Sequence, residues 1–126
     1  MQIRRILPNI SSNKMEESKD FYTNFLGLNI VMDMHWVLTF ASPSNPTAQI
    51  NIVKSEKDFI SNDHITISIE VSEVDSLYEK AKELNYEITY PITDEPWGSV
   101  RRFWVKDPNG ITINLMTHKS KRAESE

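Results

Sequence analysis

The sequence predicts an α+β fold built from two similar βαβββ modules. Several short segments alternate apolar and polar residues, the period of strands, and two segments carry apolar residues at helical spacing. The order strand, helix, three strands occurs in residues 1–53 and again in residues 64–117, with a polar linker at 54–63. A chain of 126 residues has the size of one domain, so we expect a single domain over residues 1–118. The polar tail 119–126, which contains a basic cluster, is expected to be frayed and disordered.

The first module begins with an expected strand at residues 3–10, followed by a helix. Asn13, with Glu16 three residues later, resembles a capping box at the start of this helix. Phe21 and Phe25 recur at helical spacing and are expected to pack on the sheet, and Gly27 supplies the C-terminal stop. Three strands are expected to follow, near residues 28–33, 35–41 and 47–53.

The second module opens with the clearest strand of the sequence, from His64 to Val71, where Ile and Val alternate with polar residues. Ser72 is placed to cap the next helix. Asn85 tolerates left-handed backbone geometry, and it stands where Gly27 stood in the first module. Three more strands are expected, near residues 86–90, 99–106 and 111–117.

Strand alternation separates an apolar face from a polar face in the second module. The apolar face carries Ile, Val and Leu and is expected to lie under a helix. The other face carries polar residues and one methionine, namely His64, Thr66, Ser68, Glu70, Thr112, Asn114 and Met116. Residues 49–53 alternate in the same way. Such a face is either the solvent-exposed side of an antiparallel sheet or one wall of a groove between the modules. The sequence alone leaves both interpretations open.

Composition excludes several classes of protein. The formal net charge of −4 and a pI near 5.4 disfavour nucleic-acid binding. The apolar runs are far shorter than the roughly 20 residues that span a bilayer. The absence of cysteine excludes disulfides, thiolate zinc sites and a cysteine nucleophile, and it is compatible with a reducing compartment. We therefore expect a cytoplasmic protein that binds neither nucleic acid nor membranes.

A set of short motifs runs through both modules. They are Glu17-Ser18-Lys19-Asp20-Phe21-Tyr22, Phe25-Leu26-Gly27-Leu28, Val71-Ser72-Glu73-Val74-Asp75, Pro96-Trp97-Gly98, Arg102-Phe103 and Asp107-Pro108-Asn109-Gly110. Their order and spacing resemble the vicinal oxygen chelate superfamily, which includes glyoxalases, bleomycin-resistance proteins and extradiol dioxygenases. The resemblance covers residues 3–117. It implies two paired modules that form an incomplete barrel around a ligand-binding groove, commonly in a homodimer.

The resemblance also implies four inward strand positions for metal ligands, two in each module. Counted along this sequence, they fall at four residues without a strong donor atom: Leu7, Asn51, Thr66 and Asn114. Neutral amides are poor replacements for the His and Glu ligands of transition metals. We therefore expect no metal cofactor. His64 lies two residues before Thr66 on the same strand face, and a shift in register would bring it into the site. His35 is a second histidine that could point inward.

Other candidate residues lie near the end of the chain. Arg102 faces the same side as Trp104 by strand alternation, and a guanidinium beside an aromatic ring suits a planar polar or anionic ligand. A solvated or interfacial salt bridge is the alternative role of Arg102. Trp97 stands in a loop, where it either closes over a ligand or packs in the core. The neighbouring carboxylates Asp94 and Glu95 are expected to be solvated.

These observations predict a metal-independent small-molecule-binding protein of the glyoxalase/bleomycin-resistance type, which sequesters a drug or a planar polar metabolite. The alternative is a metalloenzyme that uses His64, either a glyoxalase-like lyase or a dioxygenase. The candidate ligand-binding residues are His35, Asn51, His64, Thr66, Trp97, Arg102, Trp104 and Asn114.

Overall fold

The structure is a computed structural model that describes residues 1–118 of the chain. The predicted tail at 119–126, with its basic cluster from Lys119 to Arg122, lies outside the described residues. The chain divides into two units, one spanning Met1–Asn62 and the other beginning at Asp63. In the described part of the chain, none of the helices is long and apolar enough to cross a membrane.

The first unit is a four-stranded sheet with one helical segment. In chain order its elements are β1 (Asn9–Ser12), α1 (Met15–Asp20), a π-helical turn (Phe21–Phe25), β2 (Asn29–Asp33), β3 (Val37–Ala41) and β4 (Gln49–Lys54). The sheet order is β1-β4-β3-β2, in which β1 runs parallel to β4 and the other neighbours are antiparallel. The expected βαβββ connectivity is confirmed.

Aromatic side chains join the helical segment to this sheet. Phe21, Tyr22 and Phe25 are almost completely buried. The ring of Tyr22 packs on Phe40 of β3 at a centroid distance of 5.4 Å, and Phe21 contacts Phe25 at 5.1 Å. The predicted packing of the aromatic residues on the sheet is thereby confirmed, and burial of such rings dominates the stability of a small core.

The second unit repeats the topology of the first. Its elements are β5 (Thr66–Glu70), α2 (Val74–Glu83), β6 (Ile88–Asp94), β7 (Val100–Lys106) and β8 (Thr112–His118). The sheet order is β5-β8-β7-β6, which is equivalent to β1-β4-β3-β2 in the first sheet. β5 runs parallel to β8, as β1 runs parallel to β4. The chain therefore consists of two βαβββ modules, as the sequence predicts.

The helix ends agree with the sequence and the helix starts do not. Gly27 and Asn85 both adopt left-handed φ angles, of 75° and 60°. Neither helix has a side-chain cap at its start. The N-cap of α1 is Lys14, and Asn13 instead donates from Nδ2 to the carbonyl oxygen of Asp58 at 3.0 Å. The predicted capping box at Asn13 and the predicted cap at Ser72 are therefore wrong.

The first strand of each module also starts later than predicted. β1 begins at Asn9 instead of residue 3, and β5 begins at Thr66 instead of His64. Pro8 has no backbone N–H to donate to a sheet ladder, so regular pairing begins after it. His64 lies in a turn with Asp63.

Candidate functional site

The second sheet has one face under α2 and one face turned away from it. The ring of Tyr78 in α2 packs edge-on against Phe103 of β7 at 5.0 Å. Since successive residues of a strand point to opposite faces, Arg102 and Trp104 lie on the face opposite the helix. Their antiparallel partners on β8 are Met116 and Asn114. This surface is called the polar face below.

The guanidinium of Arg102 lies among three aromatic rings on the polar face. Its Cζ is 5.4 Å from the ring centroid of Tyr90, 5.0 Å from that of Trp97 and 5.2 Å from that of Trp104. These distances are within the roughly 6 Å range of cation–π attraction. The prediction that Arg102 shares a face with Trp104 is confirmed. We call these four residues the Arg102 cluster.

Glu95 completes the cluster from its edge. Its carboxylate accepts hydrogen bonds from Nε and Nη2 of Arg102, both at 2.8 Å, and from the hydroxyl of Tyr90 at 3.1 Å. The side chain of Glu95 is 8% exposed and that of Arg102 is 19% exposed. The expectation that Glu95 is solvated is wrong, because the β6–β7 hairpin carries it beside Arg102. The ion pair of Arg102 with Glu95 carries no net charge.

Arg101 belongs to the opposite face and to a different set of ion pairs. Its Nη2 lies 2.8 Å from Asp75 of α2, and its Nη1 lies 3.1 Å from Asp94. The hydrogen bonding of the Arg101 guanidinium to the Asp75 carboxylate is the main reason why the pKa of Arg101 is raised above its ordinary value. Arg101 on β7 therefore forms an ion pair with α2.

Asn114 lies on the polar face next to the Arg102 cluster. It is 7% exposed, and its Nδ2 donates to Oγ of Ser68 on β5 at 3.0 Å. The register pairs Ser68 with Asn114, whereas Thr66 pairs with Thr112. Ser68 is therefore the residue of β5 that contacts Asn114, and Thr66 lies two residues earlier on the same strand face.

The first module has the equivalent pair. Asn51 on β4 donates from Nδ2 to Oδ1 of Asn9 on β1 at 2.8 Å, and its Oδ1 accepts a hydrogen bond from the hydroxyl of Thr39 at 2.5 Å. The register pairs Asn9 with Asn51. The predicted position Leu7 lies two residues before the start of β1 and is not part of this pair.

The donors at these positions do not fit a transition metal. Asn9, Asn51, Ser68 and Asn114 offer neutral amide and hydroxyl groups, which are weak ligands beside imidazole and carboxylate. The amides of Asn51 and Asn114 also bind neighbouring strands in their own module. Within residues 1–118, no group of three or more His, Asp or Glu side chains is arranged to hold a metal ion. These side chains therefore support no chemical step through a metal.

The remaining candidate residues are exposed. His35 lies in the turn between β2 and β3 with a left-handed φ of 70°. The side chain of His64 is 77% exposed, and its Nδ1 is 3.9 Å from the carboxylate of Asp63. Thr66 is exposed at the start of β5, and Trp97 is 54% exposed in the β6–β7 loop. Of these four, only Trp97 joins the Arg102 cluster.

The predicted site residues did not include five residues of this region, namely Ser68, Glu70, Tyr90, Glu95 and His118. On the polar face, Nδ1 of His118 lies 3.5 Å from Oε1 of Glu70, an ion-pair distance without hydrogen-bond geometry. Alternation on β8 places His118 on the same side as Asn114, and this signal was available in the sequence. Glu95 and Tyr90 had no comparable signal, because a bulge in β6 sets their direction.

Comparisons with known proteins agree with this architecture. A family model described as the Glyoxalase/Bleomycin resistance protein/Dioxygenase superfamily matches residues 3–115. No curated protein matches the chain in sequence.

Three solved structures illustrate the likeness. A superfamily member from Sphaerobacter thermophilus is 24% identical with a TM-score of 0.74, covering 92% of this chain and 98% of its own. TioX from Micromonospora sp. ML1 is 13% identical with a TM-score of 0.74, covering 90% of this chain and 98% of its own. A glyoxalase/bleomycin resistance protein/dioxygenase from Nocardioides is 20% identical with a TM-score of 0.71, covering 94% of this chain and 85% of its own. At these identities the likeness establishes the fold alone.

Proposed function

Because the chain belongs to the glyoxalase/bleomycin resistance protein/dioxygenase superfamily, we propose that it binds a small organic molecule without a metal. The proposed site is the Arg102 cluster on the polar face of the second sheet. One observation carries this proposal: a guanidinium held within 5.0–5.4 Å of three aromatic ring centroids. Flat surfaces of this kind stack on planar ligands, as aromatic side chains do. The biological role would be sequestration of a drug or a planar metabolite.

The electrostatics of the cluster favour an uncharged ligand. The positive charge of Arg102 is balanced by Glu95 at 2.8 Å. A carboxylate or phosphate would have to compete with Glu95 for the guanidinium, and it would place like charges close together. Of the two ligand classes expected from the sequence, the planar polar class is therefore the better fit, and the anionic class is disfavoured.

The competing function is that of a metalloenzyme that uses His64. It predicts that a divalent metal stabilises the protein and is needed for ligand binding. The proposed function predicts binding that a chelator leaves unchanged. The neutral side chains of Asn51 and Asn114 support the metal-independent function.

The discriminating experiment is a thermal-shift screen of the protein, treated with EDTA, against planar metabolites, antibiotics and divalent metals. A ligand that binds the folded state raises the melting temperature as its concentration exceeds Kd. Each hit would then be titrated by calorimetry. Stabilisation by Zn²⁺, Ni²⁺ or Fe²⁺ alone would contradict the proposal.

Trp97→Ala tests whether the hit binds at the Arg102 cluster. Trp97 is 54% exposed, so the fold should tolerate its removal. Loss of one stacking ring is expected to weaken binding about tenfold, corresponding to about 1.4 kcal/mol. Trp36→Ala is the matched control, because Trp36 is 59% exposed and lies in the first module. Equal affinity of Trp97→Ala and the wild-type protein would show that the ligand does not bind at the Arg102 cluster.

We also propose that the protein forms a homodimer, as the family resemblance implies. Residues Ile30, Val31 and Met32 of β2 are 37%, 55% and 42% exposed, and β2 is an edge strand of the first sheet. Neighbouring exposed apolar side chains of this kind favour burial against another surface. A second copy suits this patch because its three side chains carry no charge that would repel an identical surface.

A further inference from the structure

Three buried side-chain atoms lack a hydrogen-bond partner within residues 1–118, and all three lie on the polar face. They are Nε1 of Trp104, Oδ1 of Asn114 and Nδ1 of His118. A buried polar group left unpaired costs on the order of 1–3 kcal/mol, so such groups are rare and call for an explanation. All three belong to one face of the second sheet, where a bound molecule could supply the missing partners.

Trp104 and Asn114 form a matched pair within this set. They are direct partners in the antiparallel pairing of β7 with β8. Side chains at such positions point to the same face, with Cβ atoms about 4.5–5.5 Å apart. The indole N–H of Trp104 can only donate a hydrogen bond, whereas the carbonyl oxygen of Asn114 can only accept one. The polar face therefore offers an unpaired donor beside an unpaired acceptor.

The nitrogen end of the Asn114 amide faces Ser68 of β5. Its Nδ2 donates to Oγ of Ser68 at 3.0 Å, which leaves Oδ1 as the free end of the amide. The ring of Trp104 stacks on Tyr90 at a centroid distance of 4.8 Å and lies 5.2 Å from the guanidinium of Arg102. The donor–acceptor pair therefore adjoins the planar surfaces of the Arg102 cluster.

A ligand that satisfies this pair must present an acceptor next to a donor on one edge. The cis-amide edge of a lactam has this arrangement, with a carbonyl oxygen beside an N–H. An ionised carboxylate has no donor for Asn114, and a ketone or ester lacks the N–H. The balanced charges of Arg102 and Glu95 also favour an uncharged ring.

We propose that Trp104 and Asn114 recognise the cis-amide edge of an uncharged planar lactam, with the indole N–H donating to its carbonyl and Asn114 accepting from its N–H. This inference rests on the proposed function and specifies its ligand class. It assigns to Asn114 a hydrogen-bonding role at a position where the resemblance implies a metal ligand.

The test uses two bicyclic probes of the same shape. Quinolin-2(1H)-one carries the adjacent N–H and carbonyl, whereas coumarin has the carbonyl but an oxygen in place of the N–H. Calorimetry with the wild-type protein is expected to give about tenfold or tighter binding of the lactam, since coumarin leaves the buried Asn114 acceptor unpaired. Equal affinity for the two probes would overturn the inference.

Two variants test the contributions of the two proposed hydrogen bonds independently. Asn114→Leu removes the acceptor and is expected to abolish the preference for the lactam, so that both probes bind equally. Because Asn114→Leu also removes the hydrogen bond to Ser68, circular dichroism and the melting temperature are measured first to establish that the variant is folded at the temperature of the titration. Trp104→Phe keeps an aromatic ring but removes the N–H, and it is expected to weaken both probes. A preference that persists in Asn114→Leu would contradict the inference.

The outcomes distinguish this inference from the proposed function. If neither probe binds, but another planar ligand binds and loses affinity in Trp97→Ala, the lactam inference is wrong and the proposed function stands. If no planar ligand in the screen binds, both are wrong.

Discussion

Asp107 shows how a single side chain organises a turn of the second module. It is 4% exposed, and its Oδ1 accepts hydrogen bonds from the backbone N–H groups of Asn109 and Ile111, both at 2.9 Å. The sequence Asp-Pro-Asn-Gly predicts a turn at this point, and the structure confirms it with Gly110 at a φ of 84°. The turn aligns β7 with β8, and so it sets Trp104 opposite Asn114.

Asp107→Ala is expected to destabilise the protein by about 1–3 kcal/mol, since two backbone donors lose their acceptor. The measurement is urea unfolding followed by circular dichroism. Asp107→Asn is the matched control, because it retains one side-chain oxygen and should lose less stability. A loss in Asp107→Ala that is no larger than in Asp107→Asn would contradict this role.

Single residues also mark the limit of what the sequence predicts at the site. The alternation of β7 was sufficient to place Arg102 beside Trp104. It could not show that Glu95 reaches Arg102, because Glu95 follows a strand with two register shifts. Charged residues next to each other in a polar segment usually remain solvated, and Asp94 fits that rule with a side chain 64% exposed. Glu95 departs from it because a cation and the hydroxyl of Tyr90 compensate for its burial.

At the scale of elements, both helices end in the same way. Gly27 follows the first helical segment and Asn85 follows α2, each with positive φ. After α2, the N–H of Tyr86 binds the carbonyl of Ala81 and the N–H of Asn85 binds that of Lys82, which is a Schellman motif. The sequence predicted both stops because few residues other than Gly and Asn adopt this geometry at low cost.

Gly27→Ala is expected to lower the free energy of unfolding by about 1–2 kcal/mol. Nothing lies within 4 Å of the added Cβ, so the cost comes from the backbone and not from a steric clash. Asn85→Gly should be neutral or slightly stabilising, since glycine adopts left-handed geometry without a penalty. Chemical denaturation of both variants measures the difference. Equal stability of Gly27→Ala and the wild-type protein would contradict this account of the helix stop.

Helix and strand starts were predicted less well than helix ends. The capping pattern at Asn13 was misleading because Ser12 supplies the local contact instead, its Oγ accepting from the N–H of Lys14 at 2.9 Å. The first strand of each module starts later than predicted, at Asn9 and at Thr66. The residues that pair with Asn51 and Asn114 are Asn9 and Ser68, each two residues after the predicted Leu7 and Thr66, and both carry neutral side chains.

At the scale of the whole molecule, the duplicated topology was predictable from the repeated order of elements in the sequence. The composition identified a globular chain, and the motifs identified the superfamily, which the match over residues 3–115 confirms. The identity of the ligand was not predictable. It depends on which polar atoms remain unpaired, and that requires the register of β7 and β8.

The proposed homodimer leads to a prediction about assembly. Sedimentation velocity is expected to find a dimer at micromolar concentration, and Val31→Lys should shift the equilibrium toward monomer, because a charge would be buried in the contact. Phe59→Lys is the matched control, since Phe59 is 80% exposed and lies outside the strands. A monomeric wild-type protein at all concentrations would contradict the proposal.

The arrangement of the three tryptophans has a practical consequence. Trp97 and Trp104 both contact Arg102, while Trp36 lies in the other module. Indole emission responds to the polarity and charge around the ring, so the protein carries two intrinsic fluorophores in its candidate site. Replacing Trp36 with Phe would leave an emission signal that comes from the site alone. Binding of a ligand that changes the surroundings of Trp97 or Trp104 would then be observable optically without a label.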